Sequence, residues 1–363
     1  MINADDYAYM AQALRLAVRG LYTATPNPRV GCVIVRDGQV VGEGFHERVG
    51  EPHAEVHALN AAGAKARNAT VYVTLEPCSH HGRTPPCADA LIAAGVARVV
   101  AAMQDPNPQV AGQGLDRLRA AGVAVECGVL EHEARELNIG FVSRMTRGRP
   151  WLRVKIAASL DGRTALANGV SQWISSEAAR IDAHVWRARS CAVLTGGGTV
   201  LADDPQLTVR HVATPRQPLR VVADSELRIS PQAKVLAGGQ AVVFCATSAV
   251  GKRRAIAQSG AEVVELAGPD GKVELHLMLQ ELARRGINEA LVEAGANFNG
   301  ALLQAGLVDE LIVYQAPHLL GAGARGMFTL PELTAMGQRV EMEMRDVRLV
   351  GKDMRLIARV KNV

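Results

Sequence analysis

His53-Ala54-Glu55, followed by Pro77-Cys78 and, after eight intervening residues, by Cys87, is the pattern that decides how this chain is read. One His, two Cys and a nearby Glu are what a hydrolytic zinc deaminase requires. Three protein ligands, His53, Cys78 and Cys87, leave the fourth position of a tetrahedral Zn²⁺ open for water. The metal lowers the pKa of that water toward neutrality. Glu55 is not a ligand. Two residues on from His53, it is placed to take a proton from the water and hand it to the departing amine. The general signature is H-x-E followed by P-C-x-x-C. Here Ser79 to Pro86 lengthen the loop between the two sulfur ligands.

Composition bounds the rest. A chain of 363 residues exceeds what one core usually supports, so two domains are expected. It is 48% hydrophobic and 21% charged, an ordinary globular composition. Its net charge of +4 is spread over 40 basic and 36 acidic residues with no Lys/Arg cluster, which argues against a nucleic-acid surface. Six cysteines in so long a chain are no disulfide framework. Cys32, Cys127, Cys191 and Cys245 lie in apolar, strand-like runs and read as small buried residues. The N-terminus lacks the basic-then-apolar pattern of a signal peptide, and no run approaches a membrane span. A reducing cytosol, and hence a cytoplasmic protein, is the expectation.

In the first half, Tyr7, Met10, Ala11, Leu14, Ala17, Val18 and Leu21 recur at helical spacing behind a cap at Asn3 or Asp5. Residues 30–35 and 40–45 read as strands joined by an Asp37-Gly38 turn. A helix is expected over 53–64, with Pro52 suited to its first turn, a strand over 71–75 and a helix over 87–94. Strands over 96–103 and 123–127 flank a helix over 112–121, and one closing helix is expected over 131–146. The ligands thus come from two helix starts and a strand-end loop, as sites in open α/β sheets do. Thr146-Arg147-Gly148-Arg149-Pro150 is polar and rich in breakers, and marks the domain boundary.

Thr25-Pro26-Asn27-Pro28-Arg29-Val30-Gly31, His53-Ala54-Glu55 and the whole stretch from Glu76 to Cys87 resemble the bifunctional deaminase–reductases of riboflavin biosynthesis. The long ligand loop is a feature of that family. The resemblance runs on through Met103-Gln104-Asp105-Pro106-Asn107-Pro108 and covers essentially the whole chain. It implies an α/β fold in two parts. Residues 1–147 would form a cytidine-deaminase-like three-layer domain that deaminates a pyrimidine with zinc. Residues 148–363 would form a dihydrofolate-reductase-like domain that uses NADPH.

In the second half, strands are expected over 151–157, 191–195, 219–223, 241–246, 262–266 and 290–293, with a helix over 175–189. Gly196-Gly197-Gly198-Thr199 and Glu293-Ala294-Gly295-Ala296-Asn297-Phe298-Asn299-Gly300 each follow a strand and open a helix. Backbone N–H groups and a helix N-terminus in that arrangement hold phosphate. Neither turn is the G-x-G-x-x-G of a standard dinucleotide fold. By resemblance, the cofactor positions carry over onto Ala157, Trp173, Thr199, Asp203, Ser225, Gly295, Ala296, Asn297, Phe298, Asn299, Gly300 and Ala301. The substrate positions carry over onto Ser171, Arg187, Leu207, Arg210 and Glu293. Arg187 and Arg210 suit a ribose 5-phosphate, since the guanidinium fork matches phosphate oxygens. Lys155 and Asp203 are candidates for polarising or protonating the sugar.

Plainer readings stand beside several of these. His57, His80 or His81 could supply a fourth ligand and close the zinc site. Arg83 meets the substrate phosphate or is a surface residue. Asn27 and His46 resemble pocket residues of the family, but equally suit a turn-forming Asn and an exposed His. Gly196 to Gly198 could be a flexible turn. Two other classes of protein compete with the resemblance. One is a nucleoside or tRNA-base deaminase with an accessory domain, and the other a zinc-stabilised binding module. The expected partner is a small phosphorylated pyrimidine, with no nucleic acid and no membrane, and the resemblance implies a homodimer formed through the reductase half.

Overall fold

The computed structural model describes residues 2–79 and 86–361. The chain divides into two units, Met1–Arg149 and Pro150–Val363. Among the described residues no helix is long and apolar enough to cross a membrane.

The first unit runs α1 (Ala4–Val18), β1 (Gly31–Arg36), β2 (Gln39–Phe45), α2 (Ala54–Ala62), β3 (Thr70–Val73), α3 (Cys87–Ala93), β4 (Arg98–Ala101), α4 (Gln113–Ala120), β5 (Ala124–Cys127), α5 (Glu131–Leu137) and α6 (Ile139–Arg147). Its sheet has the order β2-β1-β3-β4-β5, with β1 antiparallel to both neighbours and β3, β4 and β5 parallel. Layering follows from the strands. In β1, alternate residues face opposite ways: Cys32 and Ile34 pack with α2, α3 and α4, while Val33 and Val35 pack with α1 and α5. Both faces are covered, so the strand reads as a continuous apolar run. Asp37 and Gly38 take positive φ (51° and 72°), the requirement of a two-residue hairpin turn. Asn3 caps α1 in a capping box with Asp6.

Two glycines bring helices close to the sheet. A Cβ on Gly31 would lie 2.0 Å from Ala13 O, and one on Gly44 would lie 2.4 Å from Ala54 O. Gly44 therefore seats the first turn of α2, which carries the site, directly on β2. The expected closing helix is in fact two, α5 and α6. Asn138 breaks it because its buried amide is bound elsewhere: Oδ1 accepts from Arg29 N and Nδ2 donates to Arg29 O. Pro52, expected in the first turn of α2, lies one residue before the cap, which is His53 itself.

The second unit runs β6 (Trp151–Ser159), β7 (Arg163–Ala165), α7 (Glu177–Arg189), β8 (Ala192–Gly196), α8 (Gly197–Asp203), β9 (Leu219–Ala223), β10 (Ala241–Cys245), α9 (Val250–Ala257), β11 (Glu262–Glu265), α10 (Leu275–Arg284), β12 (Glu289–Val292), α11 (Ala296–Gln304), β13 (Glu310–Ala316), β14 (Arg325–Gly326), β15 (Met342–Val350) and β16 (Asp353–Val360). The main sheet has the order β11-β10-β9-β8-β12-β6-β13-β16-β15. It is parallel from β11 to β13 and antiparallel from β13 to β15. Residues of α10 and α11 join the core on one face, and α7, α8 and α9 pack on the other. In mid-sheet, buried Arg153 lies between Glu289 and Glu310, and Arg189 and Arg359 extend the cluster. Every charge in it faces an opposite one, the condition for burying ions in a sheet.

Candidate active sites

In the first unit, His53 is the N-cap of α2 and Cys87 the first residue of α3. Cys78 lies in the loop that leaves β3. Their ligand atoms fall within 4.8 Å of one another. His53 Nδ1 lies 3.3 Å from Cys87 Sγ and 3.6 Å from Cys78 Sγ. One nitrogen and two sulfurs at this spacing fit the N/S donor set of Zn²⁺. Among the described residues they form the one group of three or more His, Cys, Asp or Glu that could hold a metal. Cys87 N–H donates to Cys78 Sγ at 3.3 Å, and the Cys78 thiol is drawn down to about 4, first by Cys87 and then by His53.

Glu55, in the first turn of α2, is 3% exposed. Burial raises its carboxyl to about 7, against the pull of His53, and it also meets the Cys87 thiol. A carboxyl poised near neutrality is suited to accepting a proton and giving it back. Asn27 and His46 are brought to the same place. The His46 and His53 rings meet edge to face at 5.4 Å. Pro52 O can only accept, so His46 Nδ1 carries the proton that reaches it at 3.2 Å. His46 Nε2 is then the acceptor for Asn27 Nδ2, at 3.0 Å. Burial lowers the pKa of His46 and keeps it neutral, and Asn27 is held with a fixed orientation. Arg83, with His80 and His81, lies outside the described residues.

In the second unit, the two glycine turns follow the neighbouring parallel strands β8 and β12. Thr199 joins them, accepting Gly295 N–H on Oγ1 at 3.2 Å. Gly196 packs against the Phe298 side chain, and a Cβ on Gly197 would lie 2.8 Å from Asp224 Cγ. The turn is therefore built against its neighbours. Ala157 near the end of β6, and Ser225 after β9, place further expected positions along the same carboxyl edge of the sheet, where α/β proteins bind ligands. Two helix starts side by side, α8 and α11, suit the phosphates of a dinucleotide.

Asn299 and Gly300 take another part than expected. Asn299 is 1% exposed and donates to Ala294 O and Met327 O, so its amide fastens the turn. A Cβ on Gly300 would lie 2.0 Å from Thr329 O. These residues pack beneath the turn, while Gly295, Asn297 and Ala301 are exposed. Ser171 and Trp173 lie in the loop before α7, with Trp173 70% exposed and Arg180 over its ring at 4.5 Å. Leu207 is a core residue, 3% exposed. Asp203 ends α8, about 9 Å along the helix from the glycine turn.

Arg187 differs from the expected free phosphate fork. Its Nε and Nη2 donate to Glu293 Oε1 and Oε2 at 2.5 and 2.9 Å, and Nη1 donates to Thr208 O at 3.0 Å. The edge that matches two oxygens is filled by a carboxylate. Burial acts to raise Glu293, but Arg187 and then Lys155 hold it down to about 2. Burial lowers the Lys155 pKa, and its Nζ lies 5.8 Å from the Tyr314 ring centre. Arg210 is exposed and uses Nη1 on Gln206 and Thr208. Its backbone N–H donates to His184 Nδ1 at 3.2 Å. His184 lies on α7, within the helix expected over 175–189. Burial, then Arg187 and Arg210, bring it down to about 4, so it stands neutral as an acceptor.

Comparison with known proteins agrees with both halves. Residues 3–103 match the cytidine and deoxycytidylate deaminase zinc-binding region, and residues 150–356 match the RibD C-terminal domain. The riboflavin biosynthesis protein RibD of Escherichia coli K12 is 53% identical, over 96% of this chain and 97% of that protein. A solved structure of Acinetobacter baumannii RibD (47% identical) covers 98% of this chain and 99% of its own, with a TM-score of 0.92. A Thermotoga maritima diaminohydroxyphosphoribosylaminopyrimidine deaminase/5-amino-6-(5-phosphoribosylamino)uracil reductase is 33% identical, with a TM-score of 0.85 and 98% of each chain covered. The chain belongs to the RibD family, the bifunctional zinc deaminases and NADPH-dependent reductases of riboflavin biosynthesis.

Proposed function

We propose that the unit Met1–Arg149 deaminates 2,5-diamino-6-(5-phosphoribosylamino)pyrimidin-4(3H)-one. The unit Pro150–Val363 then reduces the ribosyl group of 5-amino-6-(5-phosphoribosylamino)uracil to ribityl. The observation that carries this is the convergence of His53, Cys78 and Cys87 beside buried Glu55, in a chain whose other half carries paired glycine turns at adjoining strand ends.

His53, Cys78 and Cys87 would hold a zinc ion, which when bound would lower the pKa of a water beside the ring carbon that bears the 2-amino group. Glu55 takes the two protons of that water in turn, one passing to the ring nitrogen and the other to the 2-amino nitrogen, which leaves as ammonia as the C–N bond breaks and the new C–O bond becomes a carbonyl. Asn27, fixed by His46, orients the pyrimidine. In the second unit the glycine turns and Thr199 seat NADPH, which supplies the hydride. Lys155, which feels the charge of Glu293, polarises the sugar. Arg210 meets the 5-phosphate, and Arg187 holds Glu293 in place.

Further parts of the reading are cytoplasmic residence and a homodimer through the second unit. Met344, Val347 and Leu349 on edge strand β15 are 52%, 55% and 76% exposed, an apolar row that a second copy would cover. Sedimentation should give a dimer, and Leu349→Glu a monomer. The activity test is ammonia release from the diaminopyrimidine phosphate, with NADPH oxidation following only when that product forms. A tRNA-base deaminase would instead act on RNA, and a binding module would release no ammonia.

A further inference from the structure

We infer that Glu76 is a positioning residue for the zinc centre, locking the loop of residues 104–112 and the start of α4 against Pro77 and so fixing where the Cys78 sulfur stands. The inference rests on reading His53, Cys78 and Cys87 as the ligands. Glu76 is 6% exposed. Its Oε2 accepts N–H from Asp105 (3.1 Å) and Gly112 (2.9 Å), and its Oε1 from Gly114 (2.8 Å) and Leu115 (3.4 Å). Four backbone donors thus converge on one carboxylate, two residues before a sulfur ligand. The Glu76 N–H is itself tied to Met103 O at 3.0 Å. On the other side, a Cβ on Gly114 would lie 1.9 Å from Pro77 O, so the start of α4 is pressed onto the peptide that leads to Cys78.

The far side of Cys78 is fastened to the same helix. Arg117 Nη1 donates to Ser79 O at 3.1 Å, and Arg117 also pairs with Asp89, two residues beyond Cys87 in the first turn of α3. Cys78 O accepts Ala88 N–H at 3.1 Å. Neither α4 nor the loop before it supplies a ligand, yet both neighbours of Cys78 are held from there. Groups one step removed from a metal commonly set its affinity tenfold to a hundredfold by orienting the ligands. With four donors on it, the carboxylate has no isosteric substitute. An amide offers one acceptor oxygen and turns N–H₂ toward two of the backbone donors.

The test uses the full chain. Glu76→Gln should bind zinc at least about tenfold more weakly in competition with a chromophoric chelator. In the cobalt-substituted protein it should shift the visible ligand-field and sulfur-to-cobalt bands. NADPH-dependent reduction should stay near parental, reporting that the chain is folded. Gly114→Ala, which changes no charge and pushes on Pro77 O directly, should move the same bands and decides the question if Glu76→Gln does not fold. Leu118→Ala opens a cavity in the core from the same helix; it should lower thermal stability and leave the cobalt bands in place. Parental zinc affinity and unshifted bands in Gly114→Ala and in a folded Glu76→Gln would overturn the inference, as would an equal shift in Leu118→Ala. Failure of the ligand assignment looks different: Cys87→Ala would keep its metal, and both readings would fall.

Discussion

Replacing Arg187 with Ala should destabilise the second unit without altering how it recognises a phosphate. The Arg187 and Glu293 side chains are each 13% exposed and bound through two parallel N–H···O contacts. Removing one partner of such a pair leaves a buried charge unmatched, at a cost of about 3 kcal/mol or more. Titration points the same way. A carboxyl held near 2 rather than at its ordinary 4.5 contributes about 3 kcal/mol at neutral pH. Because the folded-state value is depressed, this contribution is present above about pH 4.5 and is lost as the pH falls toward 2. Arg187→Ala should therefore lower the Tm of the second unit by about 6–12 °C at pH 7. Its acid sensitivity between about pH 5 and 2 should be correspondingly smaller. Kinetics separate the arginines. The ratio of kcat/KM for phosphorylated over dephosphorylated uracil substrate should be near parental in Arg187→Ala. In Arg210→Ala it should fall about tenfold or more, the scale of a lost charge-assisted contact. A variant at Arg187 as stable as the parent, or one that loses discrimination as Arg210→Ala does, would show that Arg187 meets the phosphate or that its pairing with Glu293 adds no stability.

Cys87→Ala should lose the zinc or hold it far more weakly, measured as metal per chain after dialysis, while reduction continues. Asp6, fully buried, accepts from both Arg98 Nη atoms (2.7 and 2.9 Å) and from Tyr72 Oη (2.8 Å). Arg98 holds the Asp6 carboxyl down to about 2 from 3.8, so about 2 kcal/mol of stability is present above pH 4 and vanishes as the pH falls toward 2. Asp6→Asn should flatten that dependence and cost the first unit about 3 kcal/mol by denaturant unfolding. Gly300→Ala should displace the segment around Thr329 from α11 and weaken NADPH binding about tenfold or more, with deamination unchanged.

The convergence of His53, Cys78 and Cys87, the helix starts that carry two of them and most strands were legible because their signals are local. The apolar run ending in Asp37-Gly38 and the spacing of His53, Glu55, Cys78 and Cys87 need no knowledge of the rest of the chain. What was missed depends on distant partners. Asn138 looked like an ordinary helical residue until Arg29 took its amide. Arg187 looked like a free phosphate fork because Glu293, 106 residues later, was not visible as its mate. The role of Asn299 depends in the same way on Met327. Strands β13, β15 and β16 were not anticipated at all. The exposed apolar residues of β15, the buried Asp353 and Arg355 of β16 and the buried Glu310 of β13 invert the usual pattern of apolar inside and polar outside.

Two separate sites are proposed, one a zinc deaminase served by Glu55 and the other an NADPH reductase. The most direct measurement is each half-reaction of Glu55→Gln, assayed with its own substrate on zinc-loaded protein. Ammonia release from the diaminopyrimidine phosphate should fall at least about 10²-fold, the scale of a lost general acid–base. NADPH-dependent reduction of supplied 5-amino-6-(5-phosphoribosylamino)uracil should run at near the parental rate. Loss of both activities in folded, zinc-loaded protein, or undiminished ammonia release, would contradict the account.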